Sequence, residues 1–421
     1  MKVCLIHPPQ PNSLDDRLDV PLGILYIAAS LRDDGNDVRV IDLSSYPENQ
    51  WETLIGTADV YGIMIYTCSY NIALRIRDIC KKNNPECIVA VGGPHPTALS
   101  NETKNDFDVV VSGQGELAMK HIVKWKYTTG IVSWPLPKNL DEIPMPARDL
   151  IDLSSYHRKV GEDLATSMIT SRGCPFDCSF CGSKTMFGKV KFHSQERVIT
   201  ELKSLVDMGY RNILFYDDVF TLFRKRLYPL LDEIKKLDIS FRCNGRSGVN
   251  TLEDFQRLKD AGCNTIAFGI ETGSQKLLNV CNKKVKVQQN IDTIQNAKKA
   301  GLVAKAYMII GLPGENKETI EETKKFLDLA DPDVYTLFTF VPLPGCDIWM
   351  HPDKYGVKII SRNWDDYYVI AGQNDGGITI QTDSYTPDEL IEMKDDLLKY
   401  LKSRPWRGTV EDYEKLVKWR K

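Results

Sequence analysis

Two runs of short apolar segments alternating with helical stretches constrain this chain more than any other feature of its sequence. In the first 126 residues the apolar segments Val3–Ile6, Val38–Ile41, Tyr61–Tyr66, Ile88–Val91 and Val109–Val111 are separated by helical stretches such as Leu22–Arg32 and Ile72–Lys82. That order predicts parallel strands joined by crossover helices. Tyr61-Gly62-Ile63-Met64-Ile65 has no polar residue on alternate positions, which fits a sheet covered on both faces. The fold class expected is α/β, opening with a doubly wound parallel sheet. Ligands of such sheets bind beyond the carboxyl ends of the strands. Here those ends carry Pro8-Pro9, Thr67-Cys68-Ser69, Gly92-Gly93-Pro94-His95 and Gly113-Gln114-Gly115-Glu116, small or turn-forming groups that let a bulky ligand approach backbone. Turn chemistry accounts for any one of them equally well.

Residues 127–163 are read as a linker. Pro135, Pro137, Pro144 and Pro146 interrupt any helix or central strand there. The second run spans residues 164–346: strand Thr166–Thr170, then strands Asn212–Tyr216, Ile239–Cys243, Thr265–Phe268, Lys305–Ile310 and Val334–Phe340, with helices between them. Six strand-helix units in one direction predict a partial (β/α)6 barrel, whose active site is built from loops after the strands. Residues 347–421 read as a mixed segment with a helix over Pro387–Lys402 and an aromatic, basic tail. Trp364, Asp365, Tyr367 and Tyr368 could close over a substrate or serve as core.

Composition narrows the function classes. The chain has 421 residues, 42% hydrophobic and 26% charged, with a net charge of −3. Such a balance favours a globular protein of several domains and supplies no basic field for nucleic acid. Without an apolar run of about 20 residues, no membrane span is expected, and the N-terminus leads straight into a strand-like pattern, so a cytoplasmic location is expected.

Of eleven cysteines, eight are scattered, often in apolar runs, and read as buried thiols. Cys174, Cys178 and Cys181 instead leave the first barrel strand on one short loop, Ser171-Arg172-Gly173-Cys174-Pro175-Phe176-Asp177-Cys178-Ser179-Phe180-Cys181. Clustered thiols in a long reduced chain point to metal or redox chemistry, and thiolates are the usual ligands of iron–sulfur clusters. Three thiolates on four irons leave one iron open to a small molecule. Structural zinc, with His193 as fourth ligand, is the alternative.

The cysteine spacing, with an aromatic just before the last thiol, resembles the signature of the radical S-adenosylmethionine superfamily. The resemblance implies a [4Fe-4S] cluster on Cys174, Cys178 and Cys181. Its open iron binds S-adenosylmethionine, and one electron from a reducing partner such as a flavodoxin or ferredoxin cleaves it to a 5′-deoxyadenosyl radical. Further positions fall where that family holds S-adenosylmethionine. Asp217 and Asp218 would hold its amino group, although Asp217 could instead cap a helix. Arg246, after Asn244-Gly245, suits its carboxylate. Glu271, in Gly269-Ile270-Glu271-Thr272-Gly273-Ser274, would face the ribose or sulfonium. Gly311 and Pro313, in Gly311-Leu312-Pro313-Gly314-Glu315, would pass the adenine. Cys346, after Val341-Pro342-Leu343-Pro344-Gly345, is a catalytic candidate for which a buried thiol is the plainer reading.

Pro8-Pro9, Pro21-Leu22-Gly23, Gly92-Gly93-Pro94-His95-Pro96-Thr97 and Gly113-Gln114-Gly115-Glu116 resemble, in order and spacing, the branch of that superfamily whose Rossmann-like N-terminal domain, here residues 1–126, binds cobalamin. On this resemblance Pro8, Thr67, Gly92, Gly93, Gly113 and Gly115 would line a cobalamin site. The Asp-x-His-x-x-Gly motif that supplies a histidine to cobalt is absent after the first strand, which implies cobalamin without a histidine lower ligand. His95, in a Gly-Gly-Pro turn, reads as loop packing. The function implied is a cobalamin-dependent methyltransferase acting on a small molecule. A corrinoid-free radical enzyme of the same branch and a non-catalytic corrinoid or metal carrier are the alternatives.

Overall fold

A computed structural model describes residues 1–11, 15–160, 163–368, 377–405 and 407–408. The tail beyond residue 408, expected to be aromatic and basic, lies outside the described residues. The chain divides into two compact units, one of residues 1–167, 182–197 and 363–365, the other of residues 168–181, 198–362 and 366–421.

In the first unit, strands β1 (Lys2–His7), β2 (Asp37–Asp42), β3 (Val60–Met64), β4 (Ile88–Gly92), β5 (Val109–Val111) and β6 (Gly130–Val132) form one sheet in the order β2-β1-β3-β4-β5-β6. Every pairing is parallel. Both faces are buried, as the apolar runs predict. Cys4, Ile6, Tyr61, Ile63, Val89 and Val91 share one core with Trp51 and Ile76, while Val3 and Leu5, on the alternate positions, are equally buried. Strand order reverses between β1 and β3, which places the crevice of a doubly wound sheet there. Residues 127–163, expected as a linker, join this unit and contribute β6.

In the second unit, β8 (Asn212–Phe215), β9 (Ser240–Gly245), β10 (Cys263–Glu271), β11 (Val303–Ile310) and β12 (Val334–Thr339) lie side by side in chain order and parallel. Met168, the last residue of β7 (Asp163–Met168), accepts the Tyr216 amide at 2.9 Å. This open row is the expected partial barrel. Phe241, Ile266, Phe268, Ile270, Met308, Ile310 and Leu337 face the surrounding helices, packing on Leu227, Leu231, Phe255, Leu258, Ile294 and Phe326. Residues on the other face are more polar: Arg242 on β9 donates at 2.6 Å to the hydroxyl of Tyr307 on β11. The helix Pro387–Lys402 begins at a capping box between Thr386 and Glu389 and adds Leu390, Met393, Leu397 and Leu401 to this core. Among the described residues no helix is long and apolar enough to cross a membrane.

The loop after β10 depends on one glycine. A Cβ at Gly273 would stand 2.5 Å from the Phe326 Cβ and 2.6 Å from the Thr323 Cα, atoms of the helix Lys317–Ala330 that cannot swing away. Gly273→Ala is expected to lower stability by about 1–3 kcal/mol, read as a lower urea midpoint at unchanged m value.

Candidate functional site

Cys174, the first of the three cysteines, stands six residues after β7 ends, and none of Cys174, Cys178 and Cys181 is in a disulfide. Cys174 and Cys178 are half-buried and Cys181 is exposed. The root of the loop is fixed by Asp217, which follows β8 with no exposed surface. Its carboxylate accepts the Thr170 amide at 3.1 Å, the Thr170 hydroxyl at 2.7 Å and the Ser171 hydroxyl. Burial still holds its pKa above the usual carboxylate range against these hydrogen bonds and the nearby Arg226. Arg226 donates at 2.6 Å to the same Thr170 hydroxyl. Asp217, expected at the cofactor, is thus engaged as a brace, whereas Asp218, which opens the turn that follows, is exposed. The Asp218 charge reaches Cys174, whose pKa is raised chiefly by burial.

The far side of the loop is held by Cys281–Lys283, a segment that no motif in the sequence marks out. The Cys281 carbonyl accepts the Ser179 amide at 2.9 Å, and the Asn282 side chain donates at 2.7 Å to the Asp177 carbonyl. Asn282 achieves this at φ 51°, in the left-handed region. Lys283 is buried, forms an ion pair with Glu271 and lies 5.8 Å from the Phe180 ring. Glu271 itself has φ 68° at a register shift in β10, a strained placement for a residue with a side chain. Gly269 leaves the room for this pair, since a Cβ there would meet the Glu271 carboxylate at 2.4 Å.

Arg246, after β9, is 6% exposed; its guanidinium stacks 3.8 Å from the Phe176 ring centroid, donates at 3.5 Å to the Cys178 sulfur and donates to the Lys283 carbonyl. Gly311 and Pro313 lie in a buried turn closed by Glu315, whose carboxylate accepts the Gly311 amide at 2.9 Å and the Thr319 hydroxyl at 3.0 Å. Tyr385 donates to the Gly311 carbonyl. Cys346 is fully buried, accepts the Trp349 amide at 3.4 Å and is pushed up to about 11 by burial, the state of an unreactive thiol.

The donor set fits a cluster. In a [4Fe-4S] cluster each cysteine binds a different iron, so three thiols spread along a loop are the appropriate arrangement.

At the carboxyl edge of the first unit's sheet, Pro8 follows β1 and the buried Thr67 follows β3. Gly92 ends β4 against Val111, and Gly93, at φ 113°, stands so close to the Ile65 carbonyl that a Cβ would lie 2.8 Å from it. Gly113 has open space beside it, while a Cβ at Gly115 would meet Ile27 at 2.5 Å. His95 packs against Tyr70 at 4.5 Å and Trp364 at 4.8 Å, and burial lowers its pKa to about 4.

With this geometry in view, the radical SAM superfamily model matches residues 168–327 and the B12 binding domain model matches residues 20–123. The chain is 35% identical over 407 residues to an uncharacterized methyltransferase of Pyrococcus horikoshii, covering 88% of this chain and 87% of the relative. This chain is an enzyme of the radical SAM superfamily, in the branch that carries a B12-binding domain. It is also similar, at 26% identity over 417 residues (88% of this chain, 73% of the relative), to the anaerobic magnesium-protoporphyrin IX monomethyl ester cyclase of Rubrivivax gelatinosus. The fold is shared with the radical S-adenosylmethionine methyltransferase TsrM of Kitasatospora setae, with a TM-score of 0.66 at 16% identity over 86% of this chain and 77% of that one.

Glu315 gives a test of the buried turn. Burial raises its carboxyl from 4.5 to about 7, so the folded state holds a proton that the unfolded state releases between those values. Its contribution to stability is therefore greatest below pH 4.5 and is lost as pH rises to about 7, a difference of roughly 3 kcal/mol. Glu315→Gln should remove this slope, so that wild-type stability falls relative to the variant in urea titrations between about pH 5 and pH 8. Parallel pH curves for the two proteins would count against the assignment.

Proposed function

We propose that this enzyme is a cobalamin-dependent methyltransferase that modifies a small molecule in the cytoplasm. The reading is carried by one observation: the relative that matches it at 35% identity along nearly its whole length is named an uncharacterized methyltransferase, and this chain matches both the radical SAM and the B12 binding domain models. When bound, the [4Fe-4S] cluster supplies the electron that cleaves S-adenosylmethionine, and cobalamin supplies a carrier for the methyl group.

In this proposal Cys174, Cys178 and Cys181 hold the cluster. Asp218, Glu271, Gly311, Pro313 and Arg246 line the S-adenosylmethionine site, and Asp217 braces the loop from behind. Lys283 orients Glu271 through their ion pair, so that the acidic side chain is held in place to meet the cofactor. Pro8, Thr67, Gly92, Gly93, Gly113 and Gly115 belong to the corrinoid side, with no histidine as lower ligand. A small reduced protein, flavodoxin or ferredoxin, delivers the electron, and the net charge of −3 argues against nucleic acid as substrate.

A second reading, radical chemistry without methyl transfer, is favoured by the similarity to the cyclase of Rubrivivax gelatinosus. The test is anaerobic reconstitution with iron, sulfide and hydroxocobalamin, removal of unbound corrinoid, and incubation with reductant and S-adenosylmethionine labelled in its methyl group. Retention of about one corrinoid per chain and label on the corrinoid support the methyltransferase. A cluster that forms 5′-deoxyadenosine with no retained corrinoid sinks it in favour of the second reading. The triple substitution of Cys174, Cys178 and Cys181 by Ala should abolish cleavage and cluster iron together.

A further inference from the structure

Lys283 and Arg246 are two buried cations beside the cysteine loop, and their charges are met differently. Lys283 is paired with Glu271. Arg246 contacts a sulfur, a carbonyl and a ring: the Cys178 sulfur at 3.5 Å, the Lys283 carbonyl, and the Phe176 ring at 3.8 Å. Stacking and the carbonyl fix the guanidinium plane, which leaves one N–H aimed at the thiol. Phe176 and Cys178 are both residues of the loop, so the ring and sulfur contacts hold the guanidinium against one short stretch of chain.

A fixed positive charge next to a cluster sulfur stabilises the reduced form, which carries one more negative charge, over the oxidised form. At 6% exposure, water screens this effect little. We propose that Arg246 sets the reduction potential of the cluster, raising it through the Cys178 sulfur, separately from any contact with S-adenosylmethionine. The electron comes from the external reductant, and no bond to Arg246 forms or breaks. The inference rests on the reading that Cys178 is a cluster ligand.

The experiment is a mediated redox titration of the anaerobically reconstituted full-length chain without S-adenosylmethionine, followed by the electron paramagnetic resonance signal of the reduced cluster, with iron and sulfide measured on each sample. Arg246→Gln is expected to keep its iron and to titrate at a more negative midpoint than wild type, with Arg246→Lys between them. Wild-type midpoints in the loaded variants overturn the proposal. Should Arg246→Gln not load, Arg246→Lys decides: a negative shift supports tuning and an unchanged midpoint overturns it. Loss of the cluster from both variants assigns Arg246 a structural role and overturns it too. A wild-type chain that binds no cluster removes the functional reading instead, which keeps the two failures apart.

Discussion

A carboxylate with no exposed surface anchors the root of the cysteine loop, and the geometry of the barrel mouth depends on it. Burying Asp217 without partners would cost several kcal/mol. Three donors from Thr170 and Ser171 offset that cost, and Arg226 supports the Thr170 hydroxyl from behind. Each of these donors lies at the root of the loop, so the hydrogen bonds that satisfy the carboxylate also fix the direction in which the chain leaves β7. Were Asp217 removed, the donors would be left buried and unmet, which is costlier than never having placed them there.

From this root the loop crosses to Cys281–Lys283, where backbone and side-chain hydrogen bonds receive it at Asp177 and Ser179. Here the second buried carboxylate, Glu271, is handled in the opposite way. Its partner is a full cation, Lys283, and its own backbone is held at φ 68°. Such a conformation costs about 1–3 kcal/mol and persists only where surrounding contacts enforce it. The ion pair and the space left at Gly269 are those contacts. Lys283 thereby ties the acidic end of β10 to the aromatic residue preceding the last cysteine, so the site is one mechanically connected body within its unit.

Much of this frame was legible in the sequence, because buried parallel strands and amphipathic helices impose different periods on the apolar residues. The loop Cys174–Cys181 was legible because three thiols crowded onto one short stretch of a long, reduced chain point to metal chemistry. What escaped was set by tertiary contact. Asp217 and Asp218 are adjacent and chemically identical, and only the course of the chain beyond β8 decides that one is a buried brace and the other, in the turn that follows, is exposed. Lys283 stands in the run Asn282-Lys283-Lys284, which reads as a solvated turn until Glu271 is seen beneath it. Residues 127–163 read as linker from their prolines, yet β6 adds to the sheet beside β5 and Arg148 is buried, donating to the Ser167 carbonyl.

The glycines at the edge of the first sheet show how far position alone carries a ligand argument. All four stand where a doubly wound fold admits a ligand, but their surroundings differ. At Gly93 and Gly115 the protein itself fills the space that a side chain would take, through the Ile65 backbone and Ile27. Glycine at those positions is accounted for by packing, with or without a cofactor. Gly113 has no such neighbour within 4 Å. Its amide is instead held by the Thr97 hydroxyl at 3.0 Å, which fixes an open stretch of backbone at the strand end. Gly113, whose φ of 96° itself calls for glycine, differs from Gly93 and Gly115 in leaving its backbone uncovered, so of these three it is the one with room beside it for a large ligand.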